Sequence, residues 1–447
     1  MKVRSVILAA GQGTRMHSST PKVLHPLLGR SMLQYALDAV APITTDKPLL
    51  VVGHGAEAIR QAFGDSVEFV VQEPQLGTGH AVAQAEPLLK SNAELVLVTY
   101  GDMPLLTTET MHDILQAQIA HSGPITMLTQ IVQEARGFGR VIRDEQGWVK
   151  RIVEEAQATP KELEVRELNV GVYCFRADWL WEALRQIPIS PKGEYYLTDT
   201  IGLAASQGLS VQACLLNDPH EGIGINTRVH LAEAEAVLRR RINEKWMLSG
   251  VTIVDPERTY IEPDVRIGQD TVIWPDTYLH GNTKIGSGCT LGPNTIVRES
   301  QIGDKSQILS SVVVGARVEE GVHVGPYAHL RHGAHLGRGV HMGNFGEVKN
   351  SFLGPGTKMG HFSYIGDAQI GADVNIGAGT ITCNFDGEKK NPTVIGPGVF
   401  IGSDTMLVAP VTVGEGARTG AGAVVTKDVP PYTLAVGVPA RPIRKLK

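Results

Sequence analysis

The chain has 447 residues, 42% of them hydrophobic, which is enough apolar material for two or three separately cored domains. Its 41 basic against 46 acidic residues leave a net charge of -5, which gives no electrostatic footprint for nucleic acid or an anionic membrane, and no 18-residue apolar run marks a membrane span. The four cysteines, Cys174, Cys214, Cys289 and Cys383, include no C-x-x-C pair; this argues against a zinc site or a disulfide framework, and suits a reducing cytoplasm.

Met1 leads directly into the strand VRSVILAA, with no signal peptide expected. KPLLVVGH, VEFVVQ, ELVLVTYGD, GPITMLTQ, NVGVYCF and LSVQACLL follow as short apolar runs, most of them separated by helical stretches. That alternation predicts an α/β sheet with helices on its faces, and RVIRDEQGWVKRIVEE predicts an inserted hairpin around Gly147. The first candidate site lies at LAAGQGTRM, Leu8 to Met16, where a strand runs into a Gly-containing turn able to present backbone N–H groups and Arg15 to phosphates. The turn is neither a Rossmann fingerprint, which needs Gly where Met16 stands, nor a Walker A loop. Asp102 closes the apolar strand ELVLVTYGD, and ligands of open α/β sheets bind at the carboxyl ends of strands. A carboxylate there is either a turn former or a holder of Mg²⁺ on a triphosphate.

From Arg228 to Leu248 the chain is rich in Ala, Glu, Leu and Arg, with Leu231, Ala234, Leu238 and Ile242 at helical spacing, and it ends at Ser249-Gly250. This is read as a long connecting helix, giving domains at 1–227 and 251–447 with a linker helix at 228–250. Beyond it an aliphatic residue recurs every sixth position: Ile267, Ile273, Leu279, Ile285, Leu291, Val297; then Val318, Val324, Leu330, Leu336, Met342, Val348; then Ile395, Ile401, Leu407, Val413. A hexapeptide period predicts a parallel β-helix whose aliphatic side chains stack inside a narrow prism. Slips of phase near Ile302, Val314, Leu353 and Ile370 predict corners with an extra or missing residue. Between Ile381 and Val394 the polar run TCNFDGEKKNPT predicts a loop thrown out from the wall, and such insertions often carry the binding face.

Together these residues carry a resemblance. The element L-A-A-G-x-G-T-R-M, Pro21-Lys22-Val23-Leu24, Gln72 with Gln75-Leu76-Gly77-Thr78-Gly79-His80, Tyr100-Gly101-Asp102, Gly137-Phe138-Gly139-Arg140, Ile152-Val153-Glu154, Asn169-Val170-Gly171, Gly193-Glu194-Tyr195-Tyr196 and Gly224-Ile225-Asn226 resemble a sugar-1-phosphate nucleotidylyltransferase. Joined to Gly360-His361-Phe362-Ser363-Tyr364 and the run from Asn375 to Asn384, essentially the whole chain resembles the bifunctional bacterial N-acetylglucosamine-1-phosphate uridylyltransferase/glucosamine-1-phosphate acetyltransferase family.

The resemblance implies a Rossmann-like nucleotidyltransferase sheet joined by the long helix to a left-handed parallel β-helix, in a cytoplasmic homotrimer that supplies peptidoglycan and lipopolysaccharide precursors. It implies acetyl transfer from acetyl-CoA to glucosamine-1-phosphate, then uridylyl transfer from UTP to N-acetylglucosamine-1-phosphate. Leu8, Ala9, Ala10 and Gly11 would line the uridine pocket, with Gln72, Gly77 and Thr78 completing nucleotide recognition and Tyr100 and Gly101 beside them. Arg15 and Lys22 would hold phosphates, Asp102 and Asn226 the Mg²⁺, and Gly139, Glu154 and Asn169 the sugar; Asn226 also stands where a helix N-cap is expected.

For the second reaction the family reading selects His361 as general base, since an imidazole pKa of about 6.5 suits proton removal at neutral pH; His323, His329, His332, His335 and His341 lie nearby in sequence. Arg331 and Lys349 would anchor the phosphate, Glu347 would tune the base or the amine, and Tyr364 and Asn375 would contact the sugar. Ala378, Asn384, Phe385, Ser403 and Ala421 fall where acetyl-CoA is bound, with Asn384 placed to donate to the thioester oxygen. Lys389 and Lys390 are expected to reach a neighbouring subunit's site. Two departures stand out: Phe385 replaces a Tyr common in the family, and the ending from Ala435 to Arg444 resembles other hexapeptide acyltransferases, leaving Arg441, with Arg444 behind it, as the CoA-phosphate contact. The alternatives are a single-activity nucleotidylyltransferase with the β-helix as an assembly platform, and a non-catalytic nucleotide-sensing scaffold.

Overall fold

All seven expected strands of the first half form one sheet in the structure, a computed structural model that describes residues 1–446; Lys447 lies outside the described residues. The order across the sheet is Val211–Leu215, Ile125–Ile131, Glu167–Arg176, Leu95–Tyr100, Val3–Ala9, Leu49–Val52 and Glu68–Val71. The central strands are buried on both faces, which is why they read as continuous apolar runs. Val3, Ile7, Leu50, Val52, Leu95 and Leu97 point into one core with Leu33, Met111 and Ile114, residues of the helices Met32–Val40 and Thr108–Ala120. Val6, Leu8, Leu49, Val51, Val96 and Val98 point into the other, with Ala81, Val82, Leu180 and Trp181. The sheet is mixed: Glu167–Arg176 runs antiparallel to both neighbours. The hairpin Arg140–Arg143/Val149–Val153 turns at Gly147, as expected, and hangs from Glu167–Arg176. Because Val3–Ala9 lies parallel between Leu49–Val52 and Leu95–Tyr100, its carboxyl end opens at a switch point, with Leu8 opposite Tyr100.

The chain divides into two compact units within the helix Arg228–Leu248, between Val237 and Leu238. In the second unit Ile242 and Trp246 pack on a core of stacked aliphatic residues, and Arg239 lies over the ring of Tyr260. Three sheets of 12, 10 and 9 strands form the walls of the prism, each strand parallel to the one a coil later, as the hexapeptide period requires, except in the antiparallel hairpin Thr433–Gly437/Ala440–Lys445 that ends the first. Leu279 stacks on Val297 and Leu330 on Val348, all fully buried. The slips of phase are missing residues: Ile302 pairs with Val318 and Ile308 with Val324, two residues short of three hexapeptides.

Serines close several of the shortened coils. The Oγ atoms of Ser300, Ser306, Ser311 and Ser351 accept the buried N–H groups of Ala316, Val322, Ala328 and Ala368 at 3.1, 3.2, 3.1 and 2.9 Å. Ser311→Ala should therefore lower the stability of the prism by about 1–3 kcal/mol, the cost of a buried donor left unpaired, read from the midpoint of its urea transition. A change smaller than the error of that measurement would show that the coil relaxes instead.

The polar insertion leaves the wall where expected and folds as a short hairpin. Phe385 bridges Lys390, Asn391 N–H donates to Asn384 O at 2.7 Å, and Asp386 accepts from the N–H groups of Glu388 and Lys389, which holds its carboxyl down at about 2. Thr393–Ile395 then resumes the sheet beside Ala368–Ile370.

Candidate active sites

At the switch point of the first unit two cavities meet. The larger, about 1010 Å³, is lined by Leu8, Ala9, Ala10, Gly11, Lys22, Gln72, Gly77, Thr78, Tyr100 and Asp102. The smaller, about 270 Å³, is lined by Gly139, Glu154, Asn169 and Asn226 and shares Thr78, Tyr100 and Asp102 with the first. Gly101 N–H bonds Leu8 O at 3.0 Å and Ile225 N–H bonds Asp102 O at 2.9 Å, which brings Asn226 beside Asp102 across more than a hundred residues of sequence.

Four expected residues form one network there. Lys22 Nζ pairs with Asp102 Oδ2 and donates to Asn226 Oδ1 at 3.3 Å, and Arg15 Nη2 donates to the same Asn226 oxygen at 3.0 Å. Gly13, at φ 62°, makes this possible, since a Cβ on it would lie 2.6 Å from Lys22 Cβ. Arg15 lies outside both cavity linings and reaches the site through Asn226. A carboxylate and an amide oxygen converging on one cationic group form the hard oxygen donor set that suits Mg²⁺, an ion that usually takes only one or two protein ligands beside substrate phosphates. Among the described residues no cluster of three or more His, Cys, Asp or Glu side chains competes for a metal.

Gln72 is buried with Nε2 on Gly77 O at 2.8 Å, which fixes the loop that carries Gly77 and Thr78, and Thr78 Oγ1 accepts from Leu197 N–H at 2.9 Å. In the smaller cavity Glu154 Oε1 accepts from Thr198 Oγ1 at 2.9 Å and Asn169 Oδ1 from Gly171 N–H at 3.1 Å. Burial, reinforced by the charges of Glu154 and Asp102, drives the Tyr100 phenol far above its ordinary range, so it stays a neutral donor. The sequence reading assigned no role to Gln75, Glu194, Tyr196 or Thr198, all on the cavity walls. Gln75 donates to Ala10 O at 2.7 Å. The signal for Glu194 and Tyr196 lay in the element from Gly193 to Tyr196, which carried the resemblance without a stated task; Thr198 had none.

In the second unit one corner of the prism carries His361, Ala378, Ser403 and Ala421 on successive coils: Gly379 N–H bonds Phe362 O at 2.8 Å, Asp404 N–H bonds Ala378 O at 2.6 Å and Gly422 N–H bonds Ser403 O at 2.8 Å. The wall that starts at this corner holds Glu347 directly opposite Tyr364. Arg331 Nη1 donates to Glu347 Oε1 at 2.8 Å. The Lys390 ammonium approaches Lys349 of the same chain and, with Arg331 behind it, holds the Lys349 pKa below the ordinary lysine range. Arg331, Lys349 and Lys390 thus concentrate positive charge at one end of the wall, where an anion would relieve it. Asn384, nine-tenths buried, lies 3.5 Å from the Tyr364 hydroxyl, and Phe385 beside it is exposed. Two expected residues lie on a different sheet from that wall. Asn375 is on the neighbouring sheet, between Lys358 and Phe400, and Arg441 sits in the terminal hairpin opposite Val436.

Residues 5–186 match the MobA-like NTP transferase domain, and residues 264–299 and 392–427 match the bacterial transferase hexapeptide of six repeats. The chain is 47% identical over 436 residues to the bifunctional protein GlmU of Heliobacterium modesticaldum, covering 97% of this chain and 95% of that protein. It is 47% identical over 433 residues to the Exiguobacterium sibiricum protein of the same name, covering 97% and 96%, and 44% identical over 433 residues to that of Shouchella clausii, covering 97% and 95%. The chain belongs to the bifunctional GlmU family, and its two activities are acetyl transfer to glucosamine-1-phosphate and uridylyl transfer to N-acetylglucosamine-1-phosphate, which together make UDP-N-acetylglucosamine.

Proposed function

We propose that the paired cavities of the first unit carry uridylyl transfer and that the His361 corner, with the wall beside it, carries acetyl transfer from acetyl-CoA. The observation that carries the first assignment is that Asp102 borders both cavities, so a triphosphate in the larger and a sugar phosphate in the smaller meet at it. Leu8, Ala9, Ala10, Gly11, Gln72, Gly77 and Thr78 bind the uridine nucleotide; Gly139, Glu154 and Asn169 bind the sugar. Mg²⁺ held by Asp102 and Asn226 would neutralise charge on the leaving pyrophosphate. The nucleophile is a sugar-phosphate oxygen, already anionic at pH 7, so no general base is required; Arg15 and Lys22 bring it into line with the α-phosphorus against charge repulsion.

Acetyl transfer does require a base, because the amine of glucosamine-1-phosphate must lose a proton as it attacks the thioester. His361 takes that role, Arg331 and Lys349 hold the phosphate, and Ala378, Ser403 and Ala421 offer a run of small residues along which the pantetheine arm lies. Support for an assembly with two further copies comes from exposed aromatic residues along the prism: Tyr327, Phe345, Phe362 and Phe400. We assign the protein to the cytoplasm; no helix among the described residues is long and apolar enough to cross a membrane.

Pure protein incubated with glucosamine-1-phosphate, acetyl-CoA, UTP and Mg²⁺ should release free thiol and pyrophosphate and accumulate UDP-N-acetylglucosamine. Pyrophosphate from N-acetylglucosamine-1-phosphate without any thiol from glucosamine-1-phosphate would instead make the prism an assembly platform. Light scattering should give a trimer, and a 48.0 kDa monomer as the only active species would exclude it.

A further inference from the structure

Asp367 has no role in either reaction as described, yet it is bonded to a side chain on which the acetyl-transfer reading depends. It follows the strand Ser363–Gly366 at φ 51°, and its peptide is tied to the coil on each side: its N–H donates to Lys349 O at 3.2 Å and its C=O accepts from Thr393 N–H at 3.1 Å. Its carboxylate accepts two amides, Oδ1 from Asn350 Nδ2 at 2.6 Å and Oδ2 from Asn384 Nδ2 at 2.6 Å. A carboxylate has no hydrogen to give, so the amide of Asn384 can face it only through its nitrogen. The second Nδ2 hydrogen points toward the Tyr364 hydroxyl, 3.5 Å away. Gly366 keeps the space open for this meeting, since a Cβ there would lie 2.7 Å from Asn384 Nδ2. With the nitrogen committed, Oδ1 is the atom that Asn384 presents to a bound molecule.

We propose that Asp367 is a positioning residue that fixes the polarity of Asn384, so that this side chain accepts a hydrogen bond from the substrate amine and does not donate one to the thioester oxygen. The proposal rests on the acetyl-transfer reading of this wall. An amine attacking a carbonyl carbon carries hydrogens that need acceptors; His361 takes one of them as a proton and Asn384 Oδ1 holds another, which aims the nitrogen lone pair. As the C–N bond forms and the C–S bond breaks, the proton taken by His361 passes to the departing thiolate.

The geometry allows a polarity swap. In Asp367→Asn the orientation that keeps an oxygen for Asn350 turns the new nitrogen toward Asn384, which then flips its own amide and presents Nδ2 to the substrate; Asn350→Ala is made in the same background, so that the exposed Asn350 amide does not select the orientation. Turnover in thiol release should then fall by about 100-fold, the cost of misdirecting a reacting group, with a smaller change in KM for glucosamine-1-phosphate and an unchanged melting temperature. Asn384→Asp alone sets two carboxylates against each other and should also fall. The double variant D367N/N384D restores both hydrogen bonds and again offers an acceptor, so its turnover should return to within about tenfold of the starting enzyme, the strong coupling expected of contacting residues. Wild-type turnover in Asp367→Asn, or a folded double variant no better than the singles, overturns the proposal. If Asp367→Asn does not fold, the double variant decides alone by the same criterion. His361→Ala, measured alongside, separates the failures: if it retains acetyl transfer, the site reading falls and this proposal with it; if it is inactive while Asp367→Asn is not, only the role of Asp367 falls.

Discussion

Asp102→Ala should reduce pyrophosphate formation by about 10²–10³-fold, the range seen when one preorganised charge-stabilising group is removed from an active site, while thiol release stays at its starting rate. The first effect follows from the network in which, among the described residues, Asp102 is the one carboxylate bonded to Lys22: without it the ammonium keeps Asn226 Oδ1, and the oxygen that would hold Mg²⁺ opposite Asn226 is gone. The second follows because the residues proposed for acetyl transfer lie in the other unit. Asp102→Asn sharpens the test. It preserves the shape of the turn and an oxygen for Lys22, and loses only the charge. A turn former tolerates that change; a metal-holding and charge-balancing carboxylate does not. Pyrophosphate formation near normal in Asp102→Asn would leave Asp102 as a turn residue, and equal loss of both activities in a folded Asp102→Ala would refute the assignment of the two sites to separate units.

How much of this was legible in the sequence depends on the range over which each feature is determined. The prism is written locally: a six-residue period leaves little choice but stacked three-sided coils, and even the shortened coils showed as slips at Ile302 and Val314. The serines that repair them were not foreseen, because the need for Ser311 is set by Ala328, a coil away. In the first unit the existence of each strand was equally local, but the direction of Glu167–Arg176 was not, since a strand buried on both faces has the same apolar run whether its neighbours are parallel or antiparallel. The meeting of Asp102 with Asn226 depends on one backbone hydrogen bond from Ile225, and no spacing rule predicts it. Family resemblance supplied that pair, and the His361 corner, where local pattern was silent: of six neighbouring histidines, periodicity alone prefers none. Asp367 escaped for the same reason. Its partners, Asn350 and Asn384, lie on the coils before and after, and the polar loop between Ile381 and Val394 breaks the period that would have aligned them.

His361→Ala should depress acetyl transfer by about 10²–10⁴-fold, the effect of losing a positioned acid–base group, and leave uridylyl transfer from supplied N-acetylglucosamine-1-phosphate intact. The residue sits exposed at the corner that leads into Ser363–Gly366, one coil below Ala378, and nothing in the prism's core depends on it. A loss of activity in this variant is therefore a loss of chemistry and not of fold. Two roles make different forecasts. A general base predicts the loss in turnover, with partial recovery at alkaline pH as solvent hydroxide removes the proton in its place. A residue that only orients the sugar predicts the loss chiefly in KM for glucosamine-1-phosphate, and no preferential rescue as pH rises. The arrangement on the wall favours the first, because the candidate orienting groups are already accounted for: Arg331 is bonded to Glu347, Tyr364 lies across from Glu347, and Asn384 is held from behind by Asp367. Of the catalytic candidates on this face, Glu347 is the one left to replace His361 as base, and its carboxylate is engaged by the Arg331 guanidinium. Near-wild-type acetyl transfer by folded His361→Ala at pH 7 would remove His361 from the mechanism and direct attention to Glu347, where the variant Glu347→Gln would then have to show the loss.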